Sequence, residues 1–151
     1  MNKRITVVAI LLFICGNLYS QADNVIGFWL TESKESQVEI YKSAQGTYEG
    51  KLVWIKDPLD ENRMPKRDKE NPDNTLRNRP LLGLLLLKDF TYDESSKEWK
   101  GGTIYDPQNG RTYDAYMWFD GSNQLKIKGF VLGMRFMGRS TSWTRERQKR
   151  N

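Results

Sequence analysis

"EWKGGTIYDPQNGRTYDAYMWFDGSNQLKIKGFV", residues 98–131, holds three strand-like runs separated by two compact turn signals, "DPQNGR" and "DGSNQ". In the first, Pro107 fixes φ and Asn109-Gly110 accept positive φ, which reverses a chain within a few residues. The last run, "QLKIKGF" (124–130), alternates: Leu125 and Ile127 point one way, Lys126 and Lys128 the other. A period of two is the mark of a strand with one buried face. Strands joined by turns this short pair as antiparallel hairpins.

Working outward, the same grammar repeats. "SQVEIYK" (36–42) alternates through Val38 and Ile40, and "SAQGT" and "DESSKE" supply further reversals. Strand candidates stand near 26–32, 37–42, 47–56, 82–91, 98–105, 111–119, 124–131 and 135–145, and no amphipathic helix of ordinary length is visible past residue 22. An antiparallel meander has two open edges, and closure into a barrel removes both. The predicted class is all-β: a single up-and-down antiparallel β-barrel of about eight strands, whose interior is filled by side chains or holds one small ligand. The expected organisation is a leader at 1–22, a barrel at 23–146 and a basic tail at 147–151, in a chain of 151 residues, the length of one domain.

The leader reading rests on Lys3 and Arg4, the apolar run Ile5 to Cys15 and the small-x-small site Ser20-Gln21-Ala22. It predicts a cleaved export signal, a mature chain starting near Asp23, and a periplasmic or secreted protein. The eleven-residue run is about half the length of a membrane span. Cys15 sits where a lipid-modified cysteine would, but Ile14 before it is not the small residue such sites want. Loss of residues 1–22 removes two basic residues and no acid, which lowers the formal charge from +5 to +3. That balance does not call for nucleic acid, and the cluster Arg145, Arg147, Lys149 and Arg150 reads first as a solvated tail.

Composition excludes whole chemistries. The chain has no histidine, and its one cysteine lies in the leader. Thiol catalysis, Ser-His-Asp triads, disulfides and His/Cys metal sites are therefore excluded from the mature chain. No cofactor is expected: "DPLDEN" (57–62) lacks the spaced carboxylates and central glycine of a calcium loop, and no phosphate-binding glycine loop or dinucleotide fingerprint is present. Paired carboxylates in a cleft remain open.

Residues 57–80 carry four of the five prolines and twelve charges, six of each sign. That is a long loop, of the kind that is functional or disordered in compact domains. It runs straight into Leu81 to Leu87, where only Gly83 breaks a run of leucines. A continuously apolar strand is one contacted on both faces. One face is expected to fill the barrel, the other to be covered by the preceding loop, a partner or a lipid surface.

Other positions carry specific expectations. Gly101-Gly102 marks a bulge or a close backbone approach. Asp106, Arg111 and Tyr113 flank a hairpin turn, or line a site at one barrel mouth. Arg135 stands among Val131, Leu132, Met134, Phe136 and Met137. A guanidinium cannot be buried unpaired, so it reaches outward, pairs with a barrel carboxylate, or meets an anionic head group. Trp54, Tyr113, Met117 and Trp118 are candidates to line a ligand cavity, or are plain core.

Four segments together, "IGFW" (26–29), "YEGKLVWIKDP" (48–58), "LRNRPLLGLLLL" with "GGTIYDPQNGRTY" (76–113) and "LKIKGFVLGMRFMGRSTSWTR" (125–145), resemble a bacterial secreted family known as domain of unknown function 2147. The resemblance implies a small envelope-directed β-barrel without an assigned activity. Gly27-Phe28-Trp29 is also similar to the Gly-x-Trp signature of the lipocalin and calycin architecture. That likeness implies a tryptophan plugging the closed end, with Arg145 or Arg139 stacked on Trp29. Many secreted lipocalins carry a disulfide; this mature chain cannot.

Three functions stand in order. The first is a binding module whose barrel or mouth takes an amphipathic or hydrophobic small molecule or envelope lipid, working as a monomer, and it calls for an interior cavity larger than its own side chains fill. The second is a structural or protein-interaction barrel with a filled core, meeting a partner through Leu81–Leu87 and the loop 57–80. The last is a carboxylate- or tyrosine-dependent enzyme, which needs two ionisable groups converging in a pocket.

Overall fold

The four short turn signals each join two neighbouring strands. In the computed structural model, which describes residues 20–151, the strands are β1 (Gly27–Leu30), β2 (Ser36–Lys42), β3 (Tyr48–Ile55), β4 (Leu85–Asp93), β5 (Glu98–Asp106), β6 (Arg111–Phe119), β7 (Gln124–Phe130) and β8 (Arg139–Glu146). They follow one another around a closed barrel, every pair antiparallel, and β8 returns to β1 through Trp29↔Arg145. The expected leader and Cys15 lie outside the described residues. Among the described residues no helix is long and apolar enough to cross a membrane.

Alternation puts one apolar set inside. Trp29, Val38, Ile40, Tyr48, Leu52, Leu87, Phe90, Trp99, Ala115, Met117, Leu125, Ile127 and Trp143 form one buried cluster. Aromatic rings knit it together: Trp99 meets Phe119 edge-on at 5.1 Å and Tyr48 at 6.5 Å between centroids. Close-packed interiors leave little void, and here backbone has been thinned to admit rings. A Cβ built on Gly102 would lie 2.4 Å from the Phe90 ring, and one on Gly50 would lie 2.9 Å from Leu87. Gly101-Gly102 is thus both a close approach and a bulge, since the β5–β6 register shifts between Trp99 and Gly102. Opposite it, Asp89 takes a left-handed φ of 62°, which lets Leu87 and Phe90 both face inward.

One end of the barrel is sealed by a 3-10 turn, Gln21–Val25. Its carbonyls accept two of the three core indoles, Trp29 Nε1–H to Val25 at 2.9 Å and Trp99 Nε1–H to Ala22 at 3.0 Å. Arg145 lies over the Trp29 ring at 4.2 Å and donates to the carbonyls of Asn24 and Ile26 at 2.5 and 3.2 Å. Gly27 leaves room for it: a Cβ there would stand 3.2 Å from Arg145 Nη1. Of the two arginines expected over Trp29, Arg145 takes the position. Arg139 pairs with Gly129 at the start of β8 and is exposed.

Three expectations change. β4 begins at Leu85, because Leu81–Leu84 turn instead of extending: Leu84 N–H donates to the Leu81 carbonyl, and Gly83 takes a φ of 89°. Leu87 and Leu84 are buried while Leu82 is half exposed, so the leucine run is a turn leading into a strand, not one two-faced strand. β8 begins at Arg139, since residues 135–137 form a 3-10 turn in the β7–β8 connection. The basic terminus is not simply solvated: Arg145 belongs to the seal, and Arg150 N–H donates to the side-chain oxygen of Gln37 at 2.9 Å. Gln37 is wholly buried, its amide donating to Glu146 and to the Gln148 carbonyl, while Arg147 and Lys149 remain exposed.

Candidate functional site

The loop 57–80 is an ordered structure built on a buried acid. Asp68 is fully inaccessible, and both of its carboxylate oxygens are occupied. Tyr105 Oη donates to Oδ1 at 2.6 Å; Asn71 Nδ2 and Arg79 Nε donate to Oδ2 at 2.8 and 2.9 Å, and Arg79 Nη2 stands 2.7 Å from the same oxygen. Burial pushes the Asp68 carboxyl up, but the hydrogen bonds from Tyr105, Asn71 and Arg79 and the arginine's charge outweigh it, and the net direction is down. Burial and the bond to Asp68 hold the Tyr105 phenol above its ordinary range. Short antiparallel bridges, Leu59↔Pro65 and Arg67↔Pro80, give the loop its own frame.

Two contacts tie this frame to the barrel wall. Tyr105 is the first, an outward residue of β5 next to inward Ile104. Gly110, in the β5–β6 turn, is the second: it holds a φ of 69°, and a Cβ there would fall 1.9 Å from the Glu70 carbonyl oxygen. Only glycine admits that approach.

Between the loop and the outer wall of β4, β5 and β6 lies a groove of about 460 Å³. Leu85, Leu86 and Pro72 make its apolar part, Lys88 and Arg79 its cationic part, and Tyr105 its floor beside Asp68. Arg79 is fixed by Asp68. Lys88 has only a loose neighbour, Asp89 at 3.9 Å, and is more than half exposed. The arrangement can hold an apolar body along the leucines and an anionic group near the two cations.

The sequence-predicted ligand residues do not converge. Met117 is fully buried in the packed interior. Trp118 stacks on Tyr116 with centroids 5.2 Å apart, two residues along the same strand and on the face opposite Met117. Trp54 donates its indole N–H to the Asn151 carbonyl, and Arg150 lies over its ring at 5.0 Å. Tyr113 Oη accepts from Asn109 at 3.1 Å, and Asn109 also bonds Asp106, so these residues serve the hairpin turn. Of the three settings open to Arg135, the structure shows pairing with a carboxylate: Glu98 at 3.1 Å, with the guanidinium 3.6 Å from the Tyr116 centroid. Of its apolar neighbours, Val131, Leu132, Phe136 and Met137 are exposed and Met134 is half-buried.

The groove residues Lys88, Arg79, Asn71 and Tyr105 were not singled out by pattern. The only sequence signal near them is the density of charge and proline in 57–80, which says that a loop is long without saying which acid it buries.

The comparisons agree with this architecture. HP1028 from the human pathogen Helicobacter pylori, described as belonging to the lipocalin family, superposes with a TM-score of 0.68 at 25% identity, over 80% of this chain and 82% of that one. No curated protein matches. The family described as "Uncharacterized protein conserved in bacteria (DUF2147)" matches residues 27–145, from the glycine of the Gly-x-Trp to the arginine that covers it. A closed eight-stranded barrel of lipocalin type is an architecture that can hold a small molecule, and this chain, matched over nearly all of its barrel, belongs to the DUF2147 family.

Proposed function

We propose that the protein is an exported binding module, acting in the periplasm or beyond it as a monomer, which takes an amphipathic molecule on the outer wall of its barrel. The ring-packed interior goes against the interior cavity that the sequence reading called for, so the observation that carries an outer-wall site is the groove under the 57–80 loop. A ligand with an apolar chain and a carboxylate or phosphate would lay the chain against Leu85, Leu86 and Pro72 and bring its head to Lys88 and Arg79. Export is supported by the basic and apolar pattern of residues 3–15.

The test is calorimetric titration of the mature protein with laurate and with dodecyl phosphate, alongside native mass spectrometry of protein purified gently from its own envelope. Saturable binding is expected, weakened about tenfold in Lys88→Glu, because a charge-assisted contact is replaced by repulsion. Absence of any passenger together with absence of saturable uptake would end this reading. Binding that is indifferent to Lys88→Glu would move the ligand away from the groove.

A further inference from the structure

The β7–β8 connection, "VLGMRFMG" (131–138), inverts the usual placement of apolar residues. Leu132 is 86% exposed, Phe136 80%, Met137 65% and Val131 49%. Four large apolar side chains are thus exposed within seven consecutive residues, and clustered exposed apolar surface marks an interaction site.

The loop has not simply failed to collapse. Arg135 is clamped between the Tyr116 ring at 3.6 Å and Glu98 at 3.1 Å. Tyr116 is itself backed by Phe130 and Trp118. Gly138 packs so closely on the Gly129 carbonyl that a Cβ would fall 2.2 Å from its oxygen. Leu132 adopts a left-handed φ of 53°, which is unfavourable for a leucine and persists only where the surroundings impose it. The one polar member of the loop is anchored to the wall while its apolar members are held away from it.

We propose that this loop is a membrane-docking tip that inserts into an anionic lipid surface. Its form is a protrusion, not a groove, so its complement is a deformable medium. The charge beside it selects the sign: of the five basic residues between Gln124 and Arg145, Arg145 lies at the sealed end and Arg135 is paired with Glu98, which leaves Lys126, Lys128 and Arg139 against one exposed acid on the neighbouring strand, Asp114 opposite Phe130. Two of those, Lys128 and Arg139, flank the loop on its two strands and make no ion pair among the described residues. An apolar tip between cations suits the boundary between head groups and acyl chains. The inference is independent of the groove.

Co-sedimentation of the mature protein with phosphatidylglycerol-containing vesicles, against pure phosphatidylcholine vesicles, tests it. Binding is expected to the anionic vesicles, to weaken with salt, and to fall at least about tenfold in the double variant Leu132→Ser/Phe136→Ser, with the same melting temperature as the parent. A second double variant, Lys128→Glu/Arg139→Glu, should lose the preference for anionic lipid while retaining both apolar side chains. Failure to bind either vesicle, or undiminished binding by the serine variant, overturns the proposal. So does a concentration-dependent dimer in sedimentation velocity that the serine variant abolishes, since the occupant would then be a second copy of the chain.

Discussion

The two long connections of this barrel, 57–84 and 131–138, carry opposite compositions and opposite burial. The first has twelve charges between residues 57 and 80, yet it encloses a wholly buried aspartate; the second is nearly all apolar, yet exposes Leu132 and Phe136 almost fully. Composition alone predicts the reverse. What decides burial is whether partners are available: Asp68 has four donor contacts, from Tyr105, Asn71 and Arg79, whereas Leu132 and Phe136 stand on a loop held to the wall through Arg135. A charge can be buried when fully bonded, and an apolar side chain stays out when the loop that bears it is clamped elsewhere.

The sharpest way to break this contrast is to remove the acid. Asp68→Ala leaves the Tyr105 hydroxyl, the Asn71 amide and the Arg79 guanidinium without their acceptor. Arg79 is over a third exposed and can turn to water, so the expected loss is about 3 kcal/mol, the lower part of the range for breaking a buried pair. Urea denaturation measures it, and a loss under about 0.5 kcal/mol would mean that the network does not hold the loop.

Gly110→Ala attacks the same loop from the barrel side. The added methyl meets the Glu70 carbonyl in a left-handed backbone, so the turn and the loop must separate. A cost of about 2 kcal/mol is expected, together with faster amide exchange in 66–80 while the β7–β8 hairpin stays protected. Uniform loosening of both regions would show that the loop and the barrel unfold as one unit.

Acid should distinguish the two connections without mutation. The folded pKa of Asp68 lies below its unfolded value, so its contribution is fully present above about pH 4 and is lost as pH falls through the folded value. The connection 131–138 carries no carboxylate of its own. Stability measured from pH 5 downward is expected to fall less steeply in Asp68→Asn than in the parent. Parallel curves would remove Asp68 from the account.

The smallest effect is expected at the tip. Leu132→Ser/Phe136→Ser removes side chains that touch little, and stability should change by no more than about 0.5 kcal/mol. A larger loss would mean that these side chains pack against the barrel in solution.

Legibility followed local chemistry. Gly27, Trp29 and Arg145 could be read as a set because the signature has fixed spacing at one end and a strand-borne arginine at the other; choosing Arg145 over Arg139 required the β1–β8 register. Met117 was legible as apolar, and only packing showed it to be core. The ligand set of Arg135, Trp54, Tyr113, Met117 and Trp118 drew on side-chain type alone, and the barrel disperses these residues over its interior, its outer wall and its terminus. Asp68 carried no local mark among six acids in its loop.

From sequence alone came the strand alternation, the four tight turns, and with them an eight-stranded antiparallel meander, because period and turn chemistry act within a few residues of each other. The lack of histidine, and of any cysteine but Cys15, likewise narrowed which chemistries are open, since composition does not depend on folding. Tertiary structure decided that rings and thinned backbone fill the interior, that the charged loop is pinned by Asp68 to Tyr105, and that the apolar loop points outward. Those outcomes rest on contacts between residues twelve to 37 positions apart, Phe90 with Gly102, Asp68 with Tyr105 and Arg135 with Glu98. Which partner a side chain meets at that range is set by closure of the barrel, not by its neighbours in the chain.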